Sequence, residues 1–129
     1  MSQTNTLPGT NAHFISLATA IEMTALFRAE NENILAAAYQ NQNILPLSET
    51  FNRHAFDTLL AEDGCEGLRI YMGMDTEMKI HAIIVGVNQN NEDILPSLAA
   101  NLVATSGNVI AEEGQRCPVI CPQVSVLNS

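Results

Sequence analysis

Gly67-Leu68-Arg69-Ile70-Tyr71-Met72-Gly73-Met74-Asp75-Thr76-Glu77-Met78-Lys79-Ile80-His81-Ala82-Ile83-Ile84-Val85-Gly86-Val87 is the stretch whose reading decides the fold. Leu68, Ile70 and Met72 alternate with Arg69, Tyr71 and Gly73, the two-residue period of a half-buried strand. Lys79 to Val87 is rich in Ile and Val and reads as the returning strand of a hairpin. Loop parity sets which side chains meet. A two-residue turn at Asp75-Thr76 would place Met72 against Lys79. An odd loop, Asp75-Thr76-Glu77, places Met72 against Ile80, Ile70 against Ala82 and Tyr71 against His81. The odd loop keeps one face wholly apolar and is preferred. From Ala82 onward the second strand is apolar on both faces, which predicts a central or doubly covered position.

Two helices frame this hairpin. Ser16 is a good N-cap, and the first helix is predicted to run from there to about Glu32. Phe14, Leu17, Ala18, Ile21 and Ala25 share one face, while Met23, Leu26 and Phe27 lie on roughly the opposite one. A helix apolar on two sides is either sandwiched within its own domain or covered by a partner. The second helix starts after Asn52 as N-cap. Phe51 and Phe56 have the spacing of a hydrophobic staple, and Phe56, Leu59 and Leu60 form its predicted buried stripe. Gly64 supplies a left-handed residue beyond the helix. Ile44-Leu45-Pro46-Leu47 reads as a short extended segment whose proline suits an edge. A short helix is expected over Ser97 to Thr105, ended by Gly107, and Val109-Ile110-Ala111 adds a short strand. The fold class is therefore α+β: a small, mostly antiparallel sheet around a central hairpin, with two main helices. Residues 1–12 are a polar arm, and 13–129 form a single domain with an extended Cys/Pro tail.

The chain has 129 residues, enough to bury a core without staples. There is no Trp, so the core must be largely aliphatic. Five Lys and Arg stand against 14 Asp and Glu, a net charge of −9. Phosphate neutralisation needs clustered cations, so nucleic acid is excluded as a partner, and anionic membrane surfaces are disfavoured for the same reason. The first ten residues carry neither a basic nor an apolar signal region, and no apolar run is long enough to span a membrane. The expected location is the cytoplasm, with thiols reduced.

The tail holds Cys117-Pro118 and Cys121-Pro122, and a proline after each cysteine favours an extended path. Cys65, Cys117 and Cys121 are the candidate metal or redox residues, with His13, His54 or His81 as a possible fourth ligand. A local Cys117–Cys121 disulfide is sterically feasible but opposed by the cytoplasmic expectation. The commoner outcome for such a pair is two half-buried thiols pinning the tail. Arg69, Tyr71, Lys79 and His81 are the candidate ligand-binding residues. The odd loop puts them on one hairpin face, where a small anion or acidic partner can bind, although a solvated sheet face is the plainer reading. No P-loop, dinucleotide fingerprint, nucleophile elbow or zinc-protease motif is present, so no catalytic residue and no cofactor are assigned.

Gly67 to Asp75, Val85-Gly86-Val87-Asn88, and Gly114-Gln115-Arg116-Cys117-Pro118 with Cys121-Pro122 together resemble a group of small uncharacterised bacterial proteins. The likeness extends over most of the chain from about residue 14. It implies that helix, hairpin and tail belong to one domain, and carries no activity and no catalytic residue. The expectation is a non-enzymatic interaction or scaffold module that forms a homodimer or takes a protein partner. The alternative is a small-ligand or metal-binding protein, with or without catalysis, using the hairpin face or the tail thiols.

Overall fold

The computed structural model describes residues 6–10, 12–96 and 110–129. Its described elements run α1 (Leu17–Glu30), a 3-10 turn (Ala37–Tyr39), β1 (Ser48–Thr50), α2 (Arg53–Leu60), β2 (Gly67–Met74), β3 (Ile80–Val87), β4 (Asp93–Ile94), β5 (Ile110–Ala111) and β6 (Gln115–Cys117). The fold is α+β with antiparallel pairing, as the sequence predicts. The predicted helix over Ser97 to Thr105 and its stop at Gly107 lie outside the described residues. The chain forms two compact units. The described residues of the first fall within Met1–Gly9, Phe51–Gly73 and Ala82–Glu113. Those of the second fall within Thr10–Thr50, Met74–His81 and Gly114–Ser129.

The first unit is organised on β3. That strand pairs with β2, with β4 through Gly86–Ile94 and Val87–Asp93, and with β5 through Ile84–Ala111 and Val85–Ile110. Flanked in this way, Ile84, Val85, Gly86 and Val87 are buried in succession, as a strand apolar on both faces requires. Leu59 of α2 is 1% exposed and completes this core. The cap of α2 is the predicted one: the Asn52 side chain accepts from His54 N at 2.8 Å. The Phe51 and Phe56 rings stack with centroids 5.7 Å apart. The predicted stripe is narrower than expected, because Phe56 is only half-buried and Leu60 is exposed. An eight-residue helix presents one turn's worth of side chains to the sheet, and Leu59 takes that place. Gly86 permits the close approach. A Cβ there would stand 2.9 Å from Cys65 Sγ.

The second unit has α1, the two-stranded β1–β6 sheet, the hairpin tip and the tail. Ser16 caps α1, its hydroxyl accepting from Thr19 N at 3.1 Å. The hairpin loop has three residues but sits one position later than expected. Asp75 N donates to Lys79 O at 3.0 Å, Met78 N to Asp75 O at 2.9 Å, and Met78 takes φ +67°. This is a turn with a left-handed third residue, over Thr76-Glu77-Met78. The Asp75 carboxylate explains the shift, since it accepts from Glu77 N at 2.8 Å and Lys79 N at 3.0 Å. An Asp in the position before the turn outcompetes the pairing that starts from Met74.

The centre of this unit is Arg116 on β6. Its Nε donates to Ile80 O at 3.1 Å, and its Nη2 to Asn43 O at 3.0 Å and Ile44 O at 3.1 Å. Ile80 N donates back to Ile44 O at 2.8 Å, and Ile44 is buried. One guanidinium thus bonds carbonyls from two segments, the loop before β1 and the start of β3. Substituting Arg116→Ala is expected to lower unfolding free energy by about 1–3 kcal/mol, with Arg116→Lys recovering only part because an ammonium cannot reach in a planar fork. Urea melts followed by far-ultraviolet circular dichroism check this; a wild-type midpoint for R116A would refute it.

Candidate functional site

The four hairpin residues singled out from the sequence fall into two groups. Arg69 and Tyr71 meet in the first unit on one carboxylate. Arg69 Nη1 donates to Asp93 Oδ1, and the Tyr71 hydroxyl donates to Asp93 Oδ2. Arg69 Nη2 also donates to both the main-chain oxygen and the side-chain oxygen of Asn91. These bonds clasp β2 to the turn ahead of β4. Each partner stabilises the charge state that binds it. The Tyr71 hydroxyl, ahead of the Arg69 guanidinium, holds the Asp93 carboxyl below its ordinary range, although partial burial works against this. Its hydrogen bond to Asp93 holds the Tyr71 phenol above its ordinary value, and the separate bond from Arg69 to Asp93 raises the guanidinium.

Lys79 and His81 lie at the hairpin tip, in the second unit. His81 Nε2 is 2.7 Å from Asp75 Oδ2, and Lys79 Nζ is 3.5 Å from Glu77. The Asp75 carboxyl is lowered, first by the Lys79 main-chain N–H and then by His81. In both groups the cation is met by a carboxylate of the chain itself. The sequence predicts a shared hairpin face that is either open to a small anion or acidic partner or simply solvated. Asp93, Asp75 and Glu77 are what close it. Their signal lies in position. An acid beside a strand, in the turn as Glu77 is or at the start of a neighbouring strand as Asp93 is, can meet that strand's basic residue.

The cysteines are divided as well. Cys117 and Cys121 are joined by a disulfide with Cα atoms 4.5 Å apart, where reduced thiols were expected. The chain does not stay extended past Cys117. Val119 N and Ile120 N both donate to Arg116 O, at 2.9 and 3.0 Å, and the Cys117–Pro118 peptide is cis. That turn brings Cys121 back beside Cys117, which is buried. A disulfide sulfur is no thiolate ligand. Cys65 remains a free thiol in the first unit, donating to Gly67 O at 3.2 Å. Among the described residues no group of three or more His, Cys, Asp or Glu side chains is placed to hold a metal ion. His13 and His54, the other suggested ligands, are exposed.

Two residues missed at the sequence level shape the second unit's surface. Arg28, in the last turn of α1, donates from Nη1 to Leu127 O and from Nη2 to Ser129 O at 2.9 Å. Leu47 N donates to Cys117 O at 2.6 Å beside the β1–β6 pairing. Between α1, Leu47 and the tail lies a cleft of about 1010 Å³, lined mainly by apolar side chains. No described helix is long and apolar enough to cross a membrane. Comparison with family models, with curated proteins and with solved structures returns no match.

The Asp93 clasp predicts a pH signature. Its carboxyl has a lower pKa folded than unfolded, so its contribution is complete above the ordinary carboxylate value of about 4 and is lost as pH falls through the lowered one. Tyr71 is raised, so its contribution is complete below about 10 and is lost as pH rises through the raised value. Asp93→Asn is expected to flatten the acid limb of stability against pH, and Tyr71→Phe the alkaline limb. Urea midpoints between pH 2 and 11 read both; a D93N curve parallel to wild type below pH 4 would show the clasp is not stabilising.

Proposed function

We propose that the protein is a non-enzymatic interaction module that self-associates through α1. One observation carries this reading. None of the 14 residues of α1 is buried. Leu17, Met23 and Leu26 are 61%, 61% and 64% exposed, and Phe14 just before the helix is 84% exposed. The helix rests on the side that carries Ala20, Ile21, Thr24 and Arg28, its only half-buried residues. Seated in this way the helix leaves Leu17, Met23 and Leu26 largely in water, which is costly unless a second surface covers them.

Charge favours a second copy as that surface. The chain carries 14 Asp and Glu, but α1 contains only Glu22 and Glu30. Two copies meeting along exposed Phe14, Leu17, Ala18 and Ala25 bring together a stripe with no carboxylate of its own. The kinship suggested by the Gly-Gln-Arg-Cys-Pro tail adds no activity to this. The cytoplasmic location rests on the sequence alone, and the Cys117–Cys121 bond argues against it, since intracellular reductants keep such pairs open.

The double substitution Leu17→Glu with Ala25→Glu places carboxylates on the stripe at positions already exposed to solvent, so each protomer is expected to keep its fold. Native mass spectrometry and sedimentation velocity are expected to show a dimer for wild type and a monomer for the variant, with matching circular dichroism. A wild-type protein that stays monomeric at about 100 μM, where association stronger than about 5.5 kcal/mol would show, refutes the reading.

A further inference from the structure

β2 stands at the end of its sheet. Among the described residues it pairs with β3 alone, so its far edge carries no strand. The hairpin closes with Asp75 N donating to Lys79 O at 3.0 Å, which turns Asp75 toward β3. At the two-residue period Gly73, Tyr71 and Arg69 turn the same way, and Leu68, Ile70 and Met72 present their N–H and C=O groups to the free edge. The side chains of these three share one face, where Ile70 is 58% and Met72 68% exposed. The opposite face carries Arg69 and Tyr71, which Asp93 already holds.

Free edges are ordinarily guarded by proline, by an outward charge or by a very short strand. β2 has eight residues, no proline and no charge at Leu68, Ile70 or Met72. In a contact that excludes water, a row of main-chain donors and acceptors is satisfied by another extended strand, and the exposed Ile70 and Met72 beside it select apolar residues at alternate positions of that strand. We propose that the edge of β2 from Leu68 to Met72 binds an extended segment of another protein by antiparallel strand addition, with alternate apolar residues and a basic C-terminal end. The charge follows from Glu62, Asp63 and Glu66, which precede β2 where the C-terminal end of an antiparallel segment lies. A second copy suits the edge poorly. Each copy carries the same acids and a net charge of −9, and the one cation of the strand, Arg69, is taken by Asp93. The edge shares no residue with the surface assigned to self-association.

The probe is a fluorescein-labelled peptide, Gly-Val-Thr-Val-Thr-Val-Lys-Lys, titrated with the full chain and read by anisotropy. Saturable binding is expected, with a dissociation constant below about 1 mM. The same peptide N-methylated through its Val-Thr run keeps the side chains without the donors, and is expected to bind at least about tenfold more weakly. Glu in place of both lysines is expected to weaken binding, most at low salt. Ile70→Pro removes an outward donor and no bond to β3, so it is expected to keep the fold by circular dichroism and to lose about tenfold in affinity. Ile70→Lys, which sets a charge on the edge and leaves the main chain intact, is expected to do the same. Hydrogen exchange of the complex is expected to slow at the Leu68, Ile70 and Met72 amides and to change little at Arg69 and Tyr71. The Leu17→Glu/Ala25→Glu background is expected to bind unchanged, so failure of self-association leaves this result standing. No anisotropy rise up to about 1 mM protein, or equal binding by the N-methylated peptide, overturns the proposal. So does protection of the same amides that grows with protein concentration without peptide, since a second copy would then be the occupant.

Discussion

The second unit depends on the Arg116 guanidinium. The Asn43, Ile44 and Ile80 carbonyls all accept from Arg116, and Ile44 O accepts from Ile80 N as well. A buried carbonyl without a donor costs about 1–3 kcal/mol, so a donor fork between the loop around Ile44 and the hairpin tip favours this path. The residue that follows, Cys117, is buried and covalently tied to Cys121, so the direction of the tail follows from the same anchor. A lysine would offer one point charge in place of the fork.

From that anchor comes the position of α1. The tail turns back after Cys121, and its main-chain oxygens at Leu127 and Ser129 are taken by Arg28. The helix is thereby held through a cation and backbone acceptors beside half-buried Ala20, Ile21 and Thr24. Its leucines and methionine stay in water. The proposed self-association follows from that exposure.

Local signals were legible where the cause is local. Ser16 and Asn52 cap their helices because a short oxygen-bearing side chain next to a free N–H needs no tertiary help. The run Ile84 to Val87 announced a buried strand because apolar residues on both faces have no other stable place. The hairpin loop was read with the right length but one residue early, because Asp75 bonds Glu77 N and Lys79 N and moves the closing pair. The candidate site was less legible. Arg69 and Tyr71 do converge, yet on Asp93, more than twenty residues later in the chain, and an acid in a polar run gives no sign of which cation it will meet. The disulfide was weighed as one alternative, but proline after cysteine pointed to an extended tail, and only the bonds from Val119 and Ile120 to Arg116 O show the turn.

By itself, then, the sequence determined the α+β class, the helix starts, the central strand and the poverty of cations. These follow from periodicity, capping and charge, which act over a few residues or over composition as a whole. Tertiary structure decided which side of α1 faces inward, which acid closes on which base, and that Cys117 and Cys121 meet. Those outcomes are set by contacts between residues tens of positions apart, where each group chooses among several partners. Only the packed chain brings one of them within hydrogen-bonding distance.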